Sequence, residues 1–466
     1  MVNMIRDRAD WCISRQRIWG VPIPIIYNED GTPIIDENVF EHIASLIEKE
    51  GSDIWYTKDA KELLPEGYTN EHSPNGEFVK EKDIMDVWFD SGSSWCGANE
   101  ARGYSVPTDL YLEGSDQYRG WFNSSLIISV ATRGVAPYKS VVSHGWVVDE
   151  NWEKMSKSKG NGIDPSKIAN MFGADILRLW AATIDYQQDV RISENIIKQV
   201  SEVYRKIRNT FKFLLGNIDN SDLNGEINYQ LVDEFILNRL IKVTNTTIDA
   251  FARYDYATGL SAIVTFMSSD LSSFYLSITK DELYCDDNNS RRRAIVSTYR
   301  KCVDTLMRLL TPILPFTMDE VNANFLNEVE SAQLLSYPEK EEFDEQKEEM
   351  FKKFLLLRDD ILKAIETNRN NGVIRSEQEA LVEIKINNEE IKALFDKIKN
   401  NNVEKLFVVS EIRYNDEVDG ETYNVSTIKV SHHGGVKCDR CWNYSNDTKE
   451  VEGSNLCPRC RKVLGV

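Results

Sequence analysis

Tyr111-Leu112-Glu113-Gly114-Ser115-Asp116-Gln117-Tyr118-Arg119-Gly120-Trp121 reads as a strand ending at Glu113, a turn at Gly114 and a helix starting near Ser115. Leu110 to Glu113 supply the strand. Ser115 to Thr132 supply the helix, with Trp121, Phe122, Leu126, Ile127 and Val130 on its apolar side. This order sets a carboxylate, an amide and free backbone N–H groups at the C-terminal edge of a parallel sheet, where doubly wound folds bind nucleotides and other anions. The same spacing also describes an ordinary capped helix with Ser115 or Asp116 as its cap.

Outward from this run, Ile84 to Asp90 and Val141 to Val148 read as strands and Ala174 to Ala182 as a helix. Strands alternating with helices predict an α/β region with parallel strands, residues 1–192. From Ser193 the pattern turns helical. Ile196, Val200, Val203, Ile207, Phe211 and Leu214 recur at steps of three and four, and similar stripes run Phe235 to Phe251, Leu260 to Leu276 and Ile295 to Leu310. The last stops at Thr311-Pro312-Ile313-Leu314-Pro315, where proline cannot continue it. A helical domain over 193–345 follows. Glu339 to Glu349 is a charged linker or a polar helix start, and Met350 to Thr367 a helix. A small α+β piece over 346–432 places strands at Leu381 to Ile386, Leu406 to Ile412 and Tyr423 to Val430, and a helix at Glu389 to Lys399. Residues 433–466 form a cysteine-rich tail.

At 466 residues, 41% apolar and 28% charged, the chain has an ordinary globular composition and length for about three domains. No apolar run approaches the roughly 18 residues of a membrane span, and the first residues lack a signal core, so a cytoplasmic protein without a membrane partner is expected. The net charge of −20 argues against nonspecific nucleic-acid binding. Local basic faces remain available at Arg205, Lys206, Arg208 and Lys212 and at Arg291-Arg292-Arg293; each also reads as the solvated side of a helix.

Cys438-x-x-Cys441 and Cys457-x-x-Cys460 are two knuckles whose thiolates can share one zinc. Four cysteine ligands leave no open position, so the metal is expected to be structural. The tail carries six basic and four acidic residues, which suits contact with an RNA backbone. The remaining cysteines, Cys12, Cys96, Cys285 and Cys302, show no disulfide spacing. Glu153-Lys154-Met155-Ser156-Lys157-Ser158-Lys159-Gly160-Asn161 suits a mobile loop able to lay ammonium groups on a polyphosphate, although taken alone it reads more readily as a solvated charged loop.

These segments, with Asp10 to Pro24 and Asp86-Val87-Trp88-Phe89-Asp90-Ser91-Gly92-Ser93, resemble in their order the signatures of a class I aminoacyl-tRNA synthetase. The wording of the Asp86 segment and of Cys438-Asp439-Arg440-Cys441-Trp442 is similar to the bacterial isoleucyl type. The resemblance implies the second half of a Rossmann-like catalytic domain, a helical anticodon-binding domain, an α+β junction and a zinc ribbon. It implies ATP-dependent activation of isoleucine to isoleucyl-adenylate and transfer to isoleucine tRNA, with Mg2+ accompanying ATP. Glu113 would hold the adenylate beside Gly114, Asp116 and Gln117, Trp121 and Trp88 would wall the side-chain pocket, and His144 would lie next to the adenine. Lys154 and Lys157 would be the catalytic lysines, Lys157 contacting ATP.

The family's His-x-Gly-His signature is absent from the five histidines, His42, His72, His144, His432 and His433. The inserted editing domain is absent too. The expectation is therefore a C-terminal portion, a monomer that is catalytic only with a separate N-terminal half. The alternatives are a noncatalytic tRNA-binding module built on a synthetase remnant, and a zinc-ribbon scaffold with no RNA role.

Overall fold

The computed structural model describes residues 2–156, 158–219, 225–287, 289–325, 329–399 and 402–466. The chain divides into two compact units, one of residues 1–146 and 186–189, the other of residues 147–185 and 190–466.

The first unit holds the decisive strand. β1 (Thr108–Gly114) pairs in parallel with β2 (Tyr138–His144), and the register sets Gly114 opposite His144. Between them runs α2 (Trp121–Arg133), whose Phe122, Ser125 and Ile128 are buried. The segment after β1 departs from the expected single helix. Ser115–Arg119 is a 3-10 turn capped by Gly114 rather than by the Ser115 or Asp116 side chain, and the α-helix begins only at Trp121. The expected strand Ile84 to Asp90 is corrected as well: pairing ends at Met85 and a short helix, α1 (Val87–Gly92), follows. Asp86 is the reason, because its carboxylate accepts from the Trp88 N–H at 3.2 Å and so caps that helix. A separate small core of Ile26, Val39, Ile43, Trp55 and Leu63 closes the segment before it.

In the second unit the expected strand Val141 to Val148 proves to be two. After β2 the chain turns at Gly145, and β3 (Val147–Val148) joins another parallel pair with β4 (Val190–Arg191). α3 (Ala174–Thr183) lies between these two strands in the chain, and its Asp175 accepts from the Thr317 N–H and hydroxyl at 2.8 and 2.5 Å. The helical stripes become α4 (Glu194–Leu215), capped by Ser193, α5 (Leu231–Ala252), α6 (Tyr256–Thr265), α7 (Leu276–Cys285), α8 (Ser290–Leu310) and α9 (Pro315–Ala323). A π-helical segment, Phe266–Tyr275, joins α6 to α7. Ile197, Phe211, Phe235, Leu271, Tyr299 and Leu306, each nearly inaccessible, share one core.

The Glu339 to Glu349 stretch contains a polar helix start, since Asp344 caps α10 (Glu345–Asn370). A four-stranded sheet follows in the order β6 (Glu411–Tyr414), β5 (Ala380–Ile386), β8 (Ser426–His432), β7 (Glu421–Thr422). Between β5 and β6 lie α11 (Glu389–Ile398) and α12 (Val403–Phe407). α12 corrects the expected strand Leu406 to Ile412, for Val408 sits in the left-handed region at φ 58° and ends a helix. The tail holds two short hairpins, β9 (Val436–Lys437) with β10 (Tyr444–Ser445) and β11 (Lys449–Val451) with β12 (Ser454–Leu456), then α13 (Pro458–Leu464). Among the described residues no helix is long and apolar enough to cross a membrane.

Candidate functional site

The residues expected to carry chemistry fall in three places. The first is the C-terminal end of β1. The Glu113 carboxylate accepts from the Gly114 N–H at 3.1 Å and stands 3.8 Å from His144 Nε2. His144 is fixed from its other side, its Nδ1 lying 2.8 Å from the Gly145 carbonyl oxygen. Asp116 accepts from Gln117 Nε2 at 2.9 Å, and Gln117 Oε1 accepts from the Trp121 N–H at 3.0 Å. One amide thus spans the turn and caps the start of α2. Gly120 fits here because a Cβ would stand 2.7 Å from Gln117 Oε1 and 2.8 Å from the Trp88 ring. Glu113 and Asp116 are solvent-exposed at the sheet edge, with Glu113, Gly114, Gln117, Trp121, Trp88 and His144 brought to one end of the strand pair.

The two tryptophans are held differently. Trp121 stacks on Tyr111 with ring centroids 4.1 Å apart and planes 9° apart, and its Nε1 donates to the Ser91 carbonyl at 3.0 Å. Trp88 is 40% exposed and lies against Gly120. Burial raises the Tyr111 hydroxyl and brings that of Tyr138 up to about 12, so both rings stay neutral beneath the site.

A residue that sequence reasoning missed organises this end. The buried Asp86 accepts from Trp11 Nε1 at 3.0 Å and from Arg15 Nη2 at 2.6 Å while it caps α1. It thereby ties the Asp10 to Pro24 segment to the helix that carries Trp88. Burial, with Asp86 nearby, raises the Asp90 carboxyl above its ordinary value. An Asp two residues before an amide it can cap was the available signal; its two other donors lie more than seventy residues away.

Gly145 is the tightest backbone approach at this site. A Cβ there would meet the Gln188 carbonyl oxygen at 2.3 Å, an atom that no side-chain rotation can move. Gly145→Ala is expected to destabilise the first unit by about 1–3 kcal/mol. Urea unfolding followed by tryptophan fluorescence checks this.

The second place is the lysine loop. Asp149 accepts from the Asn151 and Glu153 N–H groups, each at 2.9 Å, and from Asn161 Nδ2 at 2.8 Å. Asn161 Oδ1 accepts from the Ser156 N–H at 2.9 Å. These bonds, with Asn161 the largest cause, hold the Asp149 carboxyl below its ordinary value. The two residues therefore brace the loop across its base. Lys154 is exposed beyond that brace, and Lys159 pairs with Glu153 at 3.1 Å. Lys157 lies outside the described residues.

The third place is the tail. The sulfurs of Cys438, Cys441, Cys457 and Cys460 all lie within 4.8 Å of one another, with Cys441 and Cys457 at 3.7 Å. Four sulfurs around zinc at about 2.3 Å stand about 3.8 Å apart, so the set fits one tetrahedral ion. The Cys457 N–H points at the Cys438 sulfur at 3.4 Å. Burial opposes the Cys438 thiolate, but this N–H and those of Cys441 and Arg440 outweigh it and bring the thiol to about 7. When bound there, zinc supplies cross-linking rather than catalysis.

Two residues of the expected basic faces are engaged in ion pairs with distant parts of the chain. Arg208 makes two bonds of 2.6 Å to Glu320. Arg291 is largely covered, pairs with the buried Asp233 and lies 3.2 Å from Glu282, which turns it away from the solvent-facing cluster.

Three segments of the chain match known families. Residues 1–193 match the model for tRNA synthetases class I (I, L, M and V), 233–386 that for the anticodon-binding domain of tRNA ligase, and 435–463 that for the zinc finger found in FPG and IleRS. The chain is 48% identical over 471 residues to the isoleucine–tRNA ligase of Macrococcus caseolyticus, covering 99% of this chain and 51% of that protein. It is 48% identical to isoleucine–tRNA ligase 1 of Oceanobacillus iheyensis over 475 residues, covering 100% of this chain and 52% of the relative. The chain thus spans about half the length of the curated relatives it matches. A leucyl-tRNA synthetase of Agrobacterium radiobacter, solved as a ternary complex with tRNA and LeuAMS, shares the fold over 72% of this chain and 42% of its own, with a TM-score of 0.52 and 20% identity.

Proposed function

We propose, for a chain that belongs to the class I aminoacyl-tRNA synthetases, that it is the portion of an isoleucine–tRNA ligase that holds the aminoacyl-adenylate and the tRNA. The observation that carries this reading is the convergence of Glu113, Gly114, Gln117, Trp121, Trp88 and His144 at the C-terminal end of one parallel strand pair. Glu113 and the backbone around Gly114 would hold the adenylate, with Asp116 and Gln117 fixing the turn. Trp121 and Trp88 would line the isoleucine side chain, and His144 would sit at the adenine.

In the reaction the isoleucine carboxylate oxygen bonds to the α-phosphorus of ATP. The bridging α–β P–O bond breaks and pyrophosphate leaves. A terminal ribose hydroxyl of the tRNA then takes the acyl group and AMP departs. Little covalent help is needed; positioning and charge stabilisation lower the barrier. Lys154 and Lys157 would meet the negative charge that builds on the departing phosphates, with Mg2+ accompanying ATP. The helical region would read unstacked bases of the anticodon loop, and the zinc ribbon would touch the RNA backbone.

A second polypeptide segment enters the proposal on a structural ground. Among the described strands β1 has one neighbour, β2, and Leu112 on it is 55% exposed. Parallel strands are normally covered on both faces and flanked by more strands. The free edge of β1 suits a strand of the half that carries His-x-Gly-His, with the assembly acting as a monomeric enzyme. A gel shift with isoleucine tRNA tests the reading, with and without such a half. Binding by the chain alone, with charging on addition of the half, supports it. Binding without charging under every condition favours a noncatalytic tRNA-binding module instead.

A further inference from the structure

The two zinc knuckles share more than their cysteines. Each reads Cys-x-Arg-Cys, with Arg440 before Cys441 and Arg459 before Cys460. Both arginines reach the end of the same helix, α7. Arg440 Nη1 donates to the carbonyl oxygen of Cys285, the last residue of that helix, at 2.5 Å, and lies 3.5 Å from the Cys460 sulfur. Arg459 makes a fork to Asp281, one turn earlier, with Nη1 to Oδ2 at 2.5 Å and Nη2 to Oδ1 at 2.9 Å. It also stands 3.1 Å from Asp286. Cations belong at a helix C-terminus, where carbonyl groups lack partners and the dipole is negative.

Asp281 is shared among three modules. Besides Arg459 of the tail it pairs with Lys405 of α12 and accepts from Asn443 Nδ2 at 3.3 Å. Its side chain is 24% exposed and that of Arg459 26%. The tail joins β8 through His433-Gly434-Gly435, and nothing lies within 4 Å of a Cβ placed on Gly434. The joint is itself braced, the Gly435 N–H donating to His433 Nδ1 at 2.9 Å and the Tyr444 N–H to the Ser410 hydroxyl at 2.7 Å, and the arginines add a second anchor on α7.

We propose that Arg440 and Arg459 form a two-pronged fork, presented by the metal-closed knuckles, that seats the zinc ribbon on the end of α7, and that Asp281 is its positioning residue. Metal in the four-cysteine shell fixes the backbone on either side of both arginines. The helical region therefore senses whether the shell is filled, through two side chains that touch no metal.

Cys285 reports the seating. It is 8% exposed and its sulfur lies 4.0 Å from the Arg440 carbonyl oxygen, beneath the ribbon. Cys302, fully buried in the bundle core, reports global unfolding. The experiment is alkylation of the intact zinc-loaded chain with iodoacetamide, read cysteine by cysteine by mass spectrometry beside a metal assay. In the unsubstituted chain Cys285 should react as slowly as Cys302. Asp281→Asn should keep its zinc yet label Cys285 at least about tenfold faster, Cys302 remaining protected. Chelation of the unsubstituted chain should expose Cys285 likewise. If Asp281→Asn also exposes Cys302, Arg459→Gln, which leaves α7 unaltered, decides the matter. Cys285 labelling at the unsubstituted rate in the zinc-loaded, folded variant, or in the chelated chain, overturns the proposal.

Discussion

Cys460→Ser removes zinc from the tail and unfolds residues 433–466, while the helical domain keeps its own unfolding transition. The reason is how little else holds that segment. Its buried cluster is Cys438, Cys457, Cys460 and Leu456, with Cys441 and Val451 packed against them, so the ligands themselves are nearly the whole core. A segment below about 40 residues rarely stabilises itself by apolar burial. Where no preformed site exists in the unfolded chain, metal affinity is folding energy, about 10–16 kcal/mol for small zinc modules near neutral pH. Three remaining thiolates leave the shell open and the Cys457–Cys460 knuckle broken. Metal analysis together with NMR signal dispersion for the tail checks this. Retention of one zinc with dispersed tail signals would show that the ion is held some other way.

Asp233→Ala should cost the helical domain about 3–5 kcal/mol, because it strands a buried cation. Asp233 is wholly inaccessible and accepts from Arg291 and from the Tyr275 hydroxyl. It also accepts from the Gln230 N–H at 2.7 Å, closing the first turn of α5. Arg291, with a side chain 12% exposed, would keep Glu282, at 3.2 Å, as its carboxylate partner among the described residues. Burial pushes the Glu282 carboxyl above its ordinary value, with Arg291 working against it, so this partner replaces a buried aspartate poorly. Asp233→Asn keeps one acceptor oxygen for Arg291 and the Gln230 N–H, sets an NH2 donor against the Tyr275 hydroxyl and loses the charge, and should fall between. Urea denaturation followed by far-UV circular dichroism measures both. A cost below 1 kcal/mol for the alanine variant would mean that Arg291 finds water or another carboxylate.

Sequence alone was most legible where periodicity was long. The stripe Ile196 to Leu214 is α4, and Ile295 to Leu310 lies within α8, because burial at every third or fourth residue over five turns leaves one solution. Short apolar runs misled. Val87, Trp88 and Phe89 have strand propensity, yet a single cap from Asp86 turns them into helix. Phe407-Val408-Val409 reads as strand by composition, but Phe407 and Val409 fill the core from a helix end and a left-handed turn. Tertiary packing overrides β-propensity at such lengths.

The candidate sites divide in the same way. The zinc shell was readable because its ligands lie in two local knuckles and chemistry fixes their spacing. Glu113, Gly114 and Gln117 were readable as a strand–turn–helix unit. Asp86 was not, since its role depends on Trp11 and Arg15 arriving from a distant segment. Of the arginine triple, Arg291 turns inward, and a run of charge gives no sign that Asp233 and Glu282 wait behind it.

The most direct test of the central claim is isoleucine-dependent ATP–pyrophosphate exchange. It compares the purified chain alone with the chain mixed with a polypeptide carrying the His-x-Gly-His half. The chain alone should show no exchange and the mixture should show it, with Glu113→Ala in this chain lowering the mixture's rate by roughly a hundred- to a thousandfold. Exchange by the chain alone, or an undiminished rate with Glu113→Ala, would contradict the assignment of the β1 edge as the adenylate site.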